Sequence, residues 1–413
     1  MKIWAWILLL LVFGSKISFA FLGLPSQIHM LVFQHGLHPY LNIILNFLFG
    51  MPIVFYMLHH SQKLEGMTKP YRNLLVFLLI LLFFETLSQF LFFDSHKGFY
   101  IWAAVISTFW MILLFGIFLP LLLEPLSAAR LLSTWSINFV VLSLVLWLVR
   151  PDLTFKGGRF IGVFKHIPYM VTCASVGVIF TLGVVQMEKN RLRRFWQIFG
   201  IFLSLFALIL TGTRSALAAV LMAVILSILR APTPNLARRY FKYSAVLVMS
   251  VTLLLFGVKI MDYAKDIATG KKALLEREAQ DGVASRMEEI ERGWEYFQTS
   301  PWIGQGLLSK FSGKEELEVS SYNSFKDPHN IIASAGVVGG WPFIMWTVFF
   351  LLWLISMSVK AFISKDAVMS IFGVYALVQI PILIIYHWHL SLGGMADRFY
   401  WLVFGYLALS RMN

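Results

Sequence analysis

The chain has 413 residues, 59% of them hydrophobic, with a mean hydropathy of +0.75 and only 13% charged residues. A soluble domain is about half apolar and about a quarter charged, so this composition excludes an ordinary water-soluble fold. The net charge of +13 does not call for a nucleic-acid partner, because the basic residues lie between apolar runs, where they act as topology signals.

Runs of about 20 apolar residues, long enough to cross a bilayer as helix, recur along the chain. They predict an all-α polytopic membrane protein with about twelve spans: 3–22, 39–58, 73–93, 99–123, 132–149, 168–187, 195–212, 215–229, 243–261, 331–358, 367–387 and 398–410. The first begins with Lys2 and "IWAWILLLLVF", then "SFA" (Ser18 to Ala20), which resembles a signal peptide with a small-residue cleavage site. Lys16 beside that site, and the apolar run that resumes after it, favour a retained span. Cys173 is the single cysteine, so no intramolecular disulfide and no cysteine-based metal site can form.

Lys and Arg concentrate on alternate connections, among them Lys63 to Arg72, Arg130, "EKNRLRR" (188–194), "RAPTPNLARRYFK" (230–242), and Lys360 with Lys365. By the positive-inside rule these face the cytoplasm, as do both termini. Three regions follow: spans one to nine over 1–261, an outward loop over 262–330, and spans ten to twelve over 331–413. The loop is the longest connection, and long loops are often functional.

Some cations break the charge rule. Arg159 lies in "GGRFIGVFKHIP" on the outer side, and Arg214 lies in "TGTRSAL", in a tight outward turn beside Thr211 and Thr213. An arginine at a span end can snorkel to the interface. At membrane depth, however, ionisable groups usually pair or line a polar cavity.

Within the long loop, Ser285-Arg286-Met287-Glu288 fits a capping box and predicts a helix starting at Ser285. Met287, Ile290, Trp294 and Phe297 form its apolar stripe, expected to pack on the membrane domain, and the helix should end near Thr299-Ser300, before Pro301. Arg286 in the first turn opposes the helix dipole, and together with the free N–H groups there it would suit an anion. Gly304-Gln305-Gly306 reads as a turn. The loop closes with "DPHNIIASAGVVGG", where His329 stands at the outer membrane boundary.

Three outward arginines (Arg159, Arg214, Arg286) and one outward histidine (His329) thus come from separate stretches of chain. Arginine forks match phosphate oxygens, and histidine is the usual general base near neutral pH. The sequence holds no nucleotide-binding loop, acidic metal cluster or obvious carboxylate pair. The set suits glycosyl transfer from a membrane-bound diphosphate, with arginines stabilising the leaving group. A transporter or flippase is the alternative class, although no inverted repeat stands out.

"TGTRSALAAV", "SRMEEIERGWEYFQTSPWIGQGL" and "PHNIIASAGVVGG", in that order and spacing, resemble the O-antigen ligase and polymerase superfamily, and "RFIGVFKHIP" is similar to its upstream Arg-x-x-Gly segment. The resemblance covers about residues 155–345. It implies a helical membrane bundle with a periplasmic loop, in the inner membrane of a Gram-negative cell. The implied donor is an undecaprenyl-diphosphate-linked glycan, and neither metal nor cofactor takes part.

Carried over by motif, Arg214 and Arg286 would hold the donor diphosphate, with Arg159 as a supporting phosphate contact. His329 would activate the acceptor hydroxyl. Asn330 would cap the tenth span, with Thr213 and Ser285 in supporting positions. Gly336, Gly339 and Gly340 would allow close helix approach. "HIPYM" stands where relatives often have an Asn-Pro-Asn-like run, which sets Arg159 and His166 apart from the family pattern. Chain size and one dominant outer loop favour a ligase with a lipid A–core acceptor. A polymerase using the same donor and a protein O-oligosaccharyltransferase are the other members the resemblance allows.

Overall fold

The computed structural model describes residues 112–156, 158–164, 167–230, 290–304 apart from Arg292 and Tyr296, 330–386 and 395–409, with isolated positions Ile3, Trp6, Leu48, Met51, Pro52, Phe55, His59, Val76, Ile80 and Trp110. Spans expected at 3–22, 39–58, 73–93 and 243–261 fall outside these residues apart from the isolated positions, as does the first half of the long loop.

The described chain is helical almost throughout. In order come α1 (Leu113–Leu122), π-helical over Leu113–Phe118; α2 (Pro125–Val149); a single turn, α3 (Pro151–Thr154); a two-stranded hairpin of β1 (Phe155–Lys156) and β2 (Arg159–Phe160); α4 (Ile167–Met187); α5 (Arg191–Leu210); α6 (Arg214–Arg230); α7 (Ile331–Ile363); α8 (Ala367–Tyr386); and α9 (Met395–Leu409). Among the described residues four helices, α2, α4, α5 and α7, are long and apolar enough to cross a membrane. The others that match expected spans are apolar but shorter.

Helix ends follow local chemistry. Pro125 sits at the first position of α2, where a missing N–H costs nothing, so the helix starts well before the expected residue 132. α5 starts at Arg191 because the Asn190 side chain accepts from the Leu192 and Arg193 amides at 3.0 and 3.1 Å.

Small residues let these helices approach. A Cβ on Gly177 of α4 would meet Ser204 of α5 and Ser136 of α2 at 2.7 and 3.4 Å, and one on Gly200 would meet Ile137 at 2.5 Å. The Ser133 and Thr181 hydroxyls join at 2.7 Å in the buried α2–α4 seam. Around α8 the contacts are aromatic, with Phe180 5.3 Å from Phe372 and Phe372 4.6 Å from Tyr406. The outward face of α5 leaves Leu192, Phe195, Phe199 and Phe202 exposed, an apolar surface suited to lipid.

The bundle has a basic end. The Arg230 guanidinium donates to the Ser364 and Asp366 carbonyls at 2.7 and 3.2 Å, which ties the end of α6 to the α7–α8 connection. One cleft joins Gln186 to Arg230 and Ala367, and another joins Arg130 to Glu188 and Arg193. Among the described residues, Arg130, the 188–193 stretch, Arg230 and the α7–α8 connection therefore lie at one end. The hairpin and the α5–α6 turn lie at the other.

Candidate active site

At this second end, α2 stops at Arg150, before Pro151, and the chain turns back across the bundle. Arg150 pairs with Asp152 at 3.0 Å, both exposed, and this hydrogen bond holds the Asp152 carboxyl below its ordinary range. The hairpin follows, with Phe155 opposite Phe160 and Lys156 opposite Arg159. Its aromatic side seats on Trp147, whose ring lies 6.3 Å from both phenylalanines, and Phe160 is 0% exposed. Behind it, Gly162 has φ +59° and lies so close to Ser143 that no Cβ fits, while the Val163 amide donates to Ser143 Oγ at 3.1 Å. This gives the Arg-x-x-Gly spacing a physical reason. The arginine lies on a strand whose exit turn must be glycine.

Anchored in this way, Arg159 reaches the α5–α6 turn. Its Nε donates to the Thr211 carbonyl at 2.9 Å and its Nη2 to Thr213 Oγ1 at 2.8 Å. The turn is itself tightly built. The Thr211 hydroxyl donates to the Leu208 carbonyl at 2.7 Å, and Gly212 takes φ +65° as it closes α5. Thr213 accepts the first backbone bond of α6, from the Leu217 amide at 3.1 Å. Arg214 is then the first residue of α6, at the positive end of that helix dipole. Arg159, Thr213 and the backbone of Arg214 thus come together across 54 residues of sequence.

The clamp has a measurable consequence. Removing a charged donor from two hydrogen bonds costs about 1–3 kcal/mol at a partly buried site. Arg159→Ala should therefore lower the thermal unfolding temperature of the detergent-solubilised chain. Arg159→Lys should recover less than half of that loss, because a point ammonium cannot span both acceptors. Unchanged unfolding in Arg159→Ala would mean that the turn holds itself.

The start of α7 is fixed by its own cap. Asn330 Oδ1 accepts from the Ile332 and Ala333 amides at 2.9 and 3.1 Å, the cap expected for it. Asn330→Ala should cost about 1 kcal/mol in the same assay while Asn330→Asp costs little, since aspartate caps equally well.

α7 differs from the single span expected there. It breaks at Gly339 (φ −139°, ψ 16°) and Gly340 (φ 67°, ψ −161°), and helix resumes through Trp341 and Pro342. The end of the long loop docks at this break. Residues 290–299 are helical where described, and Phe297 is 3% exposed, its ring 5.2 Å from that of Trp341. Of the expected stripe, Phe297 thus packs on α7, Trp294 stays 40% exposed, and Met287 lies outside the described residues. The turn at 301–304 ends in Gly304 at φ +74°, and the Trp341 amide donates to the Pro301 carbonyl at 2.7 Å. A Cβ on Gly336 would press on Phe297 at 3.0 Å, and one on Gly340 would overlap the Trp302 backbone. The glycines therefore do permit close approach, to the loop rather than to another long helix.

His329, Arg286 and Ser285 lie outside the described residues. The structure brings Arg159, Thr213 and the start of α6 into one cluster, while Asn330 caps a different helix. The sequence reading missed the hydrogen-bonded clamp of Arg159 on the Thr211–Thr213 turn. The signal available for it was an outward arginine and a threonine-flanked glycine turn in the same chain.

A comparison with protein families matches residues 199–347 to a family described as O-Antigen ligase. The match begins within α5, includes the Thr211–Arg214 turn, and ends in α7 beyond the glycine break; the Arg159 hairpin lies upstream of it. No curated protein matches the chain.

Proposed function

We propose, from the match that supports this chain as a member of the O-antigen ligase and polymerase superfamily, that it is an O-antigen ligase of the Gram-negative inner membrane. The reaction moves a glycan from undecaprenyl diphosphate to a sugar hydroxyl of lipid A–core. The observation that favours this site is the Arg159 clamp on the turn that starts α6 with Arg214. That clamp lies inside or next to the matched region, at the end of the bundle away from the cytoplasmic cations. In this reading that end faces the periplasm.

In the reaction, the acceptor oxygen forms a bond to the anomeric carbon as the bond from that carbon to the diphosphate oxygen breaks. The lipid diphosphate leaves with the electron pair. Arg214 and Arg286 stabilise its charge, and Arg159 holds the Arg214 turn rigid for that task. His329 takes the proton from the acceptor hydroxyl as attack proceeds. The chain's own cations do the work that a metal ion does elsewhere.

A polymerase uses the same donor and differs in its acceptor, so cells decide between the two. In a host deleted for this gene, bare core with accumulated lipid-linked polymer on a lipopolysaccharide gel is the expected result. Core bearing one repeat would make the chain a polymerase. An unchanged ladder would point to protein glycosylation or transport instead.

A further inference from the structure

At the basic end, far along α2 and α5 from the Arg159 clamp, lies a cleft of about 390 Å³. Arg130 enters it from the second turn of α2 and Arg193 from the first turn of α5, with Thr134, Asn138, Trp196 and Gln197 between them. Among the described residues neither arginine makes an ion pair. The carboxylate that lines the cleft, Glu188, accepts from the Asn190 amide at 3.0 Å. On the bundle side the cleft is bounded by Ser133, whose hydroxyl is taken up by Thr181. On the other side, α5 continues from Arg193 and Trp196 into its exposed apolar face of Phe195, Phe199 and Phe202. A pair of guanidinium forks therefore adjoins a lipid-facing hydrocarbon surface, with an indole at the border.

That juxtaposition fits an amphiphile with an anionic head. Arginine forks match phosphate oxygens bidentately, basic pockets between membrane helices bind phosphate-bearing headgroups, and tryptophan favours the headgroup level. We infer that this cleft binds the phosphodiester headgroup of an anionic phospholipid, with Arg130 and Arg193 on the phosphate and the acyl chains along the Phe195–Phe202 face. The site is separate from the one proposed for glycan transfer and does not depend on it.

The test uses the full chain in detergent, with phosphatidylglycerol and phosphatidylcholine as probes and retained lipid read by native mass spectrometry. The wild type should retain phosphatidylglycerol in preference to phosphatidylcholine. Arg130→Gln with Arg193→Gln should weaken that retention by about 5-fold per arginine. Arg191→Gln with Arg194→Gln, which changes the same basic stretch outside the cleft, should leave it intact. Equal retention of the two lipids, or loss of preference only in the second pair, would overturn the inference. Displacement by inorganic phosphate at equal concentration would also overturn it, because the ligand would then be free phosphate. If the cleft variant fails to fold, a photoactivatable phosphatidylglycerol on the wild type answers the question. Labelling should concentrate on 130–138 and 193–197, and even labelling over the exposed surface would contradict the site.

Discussion

His329→Ala should lower glycan transfer by about 10²–10⁴-fold, the span that a lost general base produces, while the chain still inserts and unfolds at an unchanged temperature. His329 directly precedes Asn330, whose cap starts α7. Loss of the cap affects helix stability, whereas loss of the base affects only chemistry, so the two variants separate in the two assays. The pH profile adds a sharper readout. A general base acts in its unprotonated form, so wild-type transfer should show a limb that rises with pH. In His329→Ala that limb should vanish, leaving residual activity flat across the same range. Full activity in a well-expressed His329→Ala chain would remove the base from the mechanism.

Gly340→Ala should destabilise the fold by several kcal/mol, about 1–3 of them from backbone strain alone. Gly340 has φ +67° with ψ −161°, a region held almost only by glycine, where another residue costs about 1–3 kcal/mol. The space is also closed. An added Cβ would stand 2.5 Å from the Trp302 carbonyl carbon and 2.6 Å from the Pro301 oxygen. Both are backbone atoms, so the turn at 301–304 must move away. With it would go the Trp341-to-Pro301 hydrogen bond and the Phe297–Trp341 contact. That lost hydrogen bond, about 1 kcal/mol, then adds to the strain. Gly158→Ala is the internal control, since it shares a positive φ of 73° but has nothing within 4 Å. If Gly340→Ala unfolds at the same temperature as Gly158→Ala, and protease cleaves no faster within 297–304, the docking account is wrong. Because the docked loop also holds Arg286 in sequence, transfer should fall along with stability.

Helix identity and caps were legible because each rests on a few neighbouring residues. Ile167–Met187 and the start at Ile331 fall within a residue of their expected positions, the latter because Asn330 is a strong N-cap. α5 begins four residues before the expected 195 because the arginines of "RLRR" hid a start that Asn190 signals. The hairpin at 155–160 has strands of two residues, too short for any alternation to register, and only "KGGR" between phenylalanines marks its turn. The break in α7 was hidden for a different reason. Paired glycines in an apolar run fit helix contact and helix interruption equally well, and the choice depends on what docks there. The docking partner, residues 297–304, arrives through tertiary packing that no local window contains. The same holds for Arg159, whose acceptors lie 52 and 54 residues away.

The most direct measurement of the central claim is transfer by the purified chain in proteoliposomes. The substrates are undecaprenyl-diphosphate-linked glycan and lipid A–core, with no nucleotide added. The account predicts glycan on the core and one undecaprenyl diphosphate released per glycan joined, with both lost in Arg214→Ala. Intact donor in the presence of a folded wild-type chain, or equal transfer by Arg214→Ala, would contradict it.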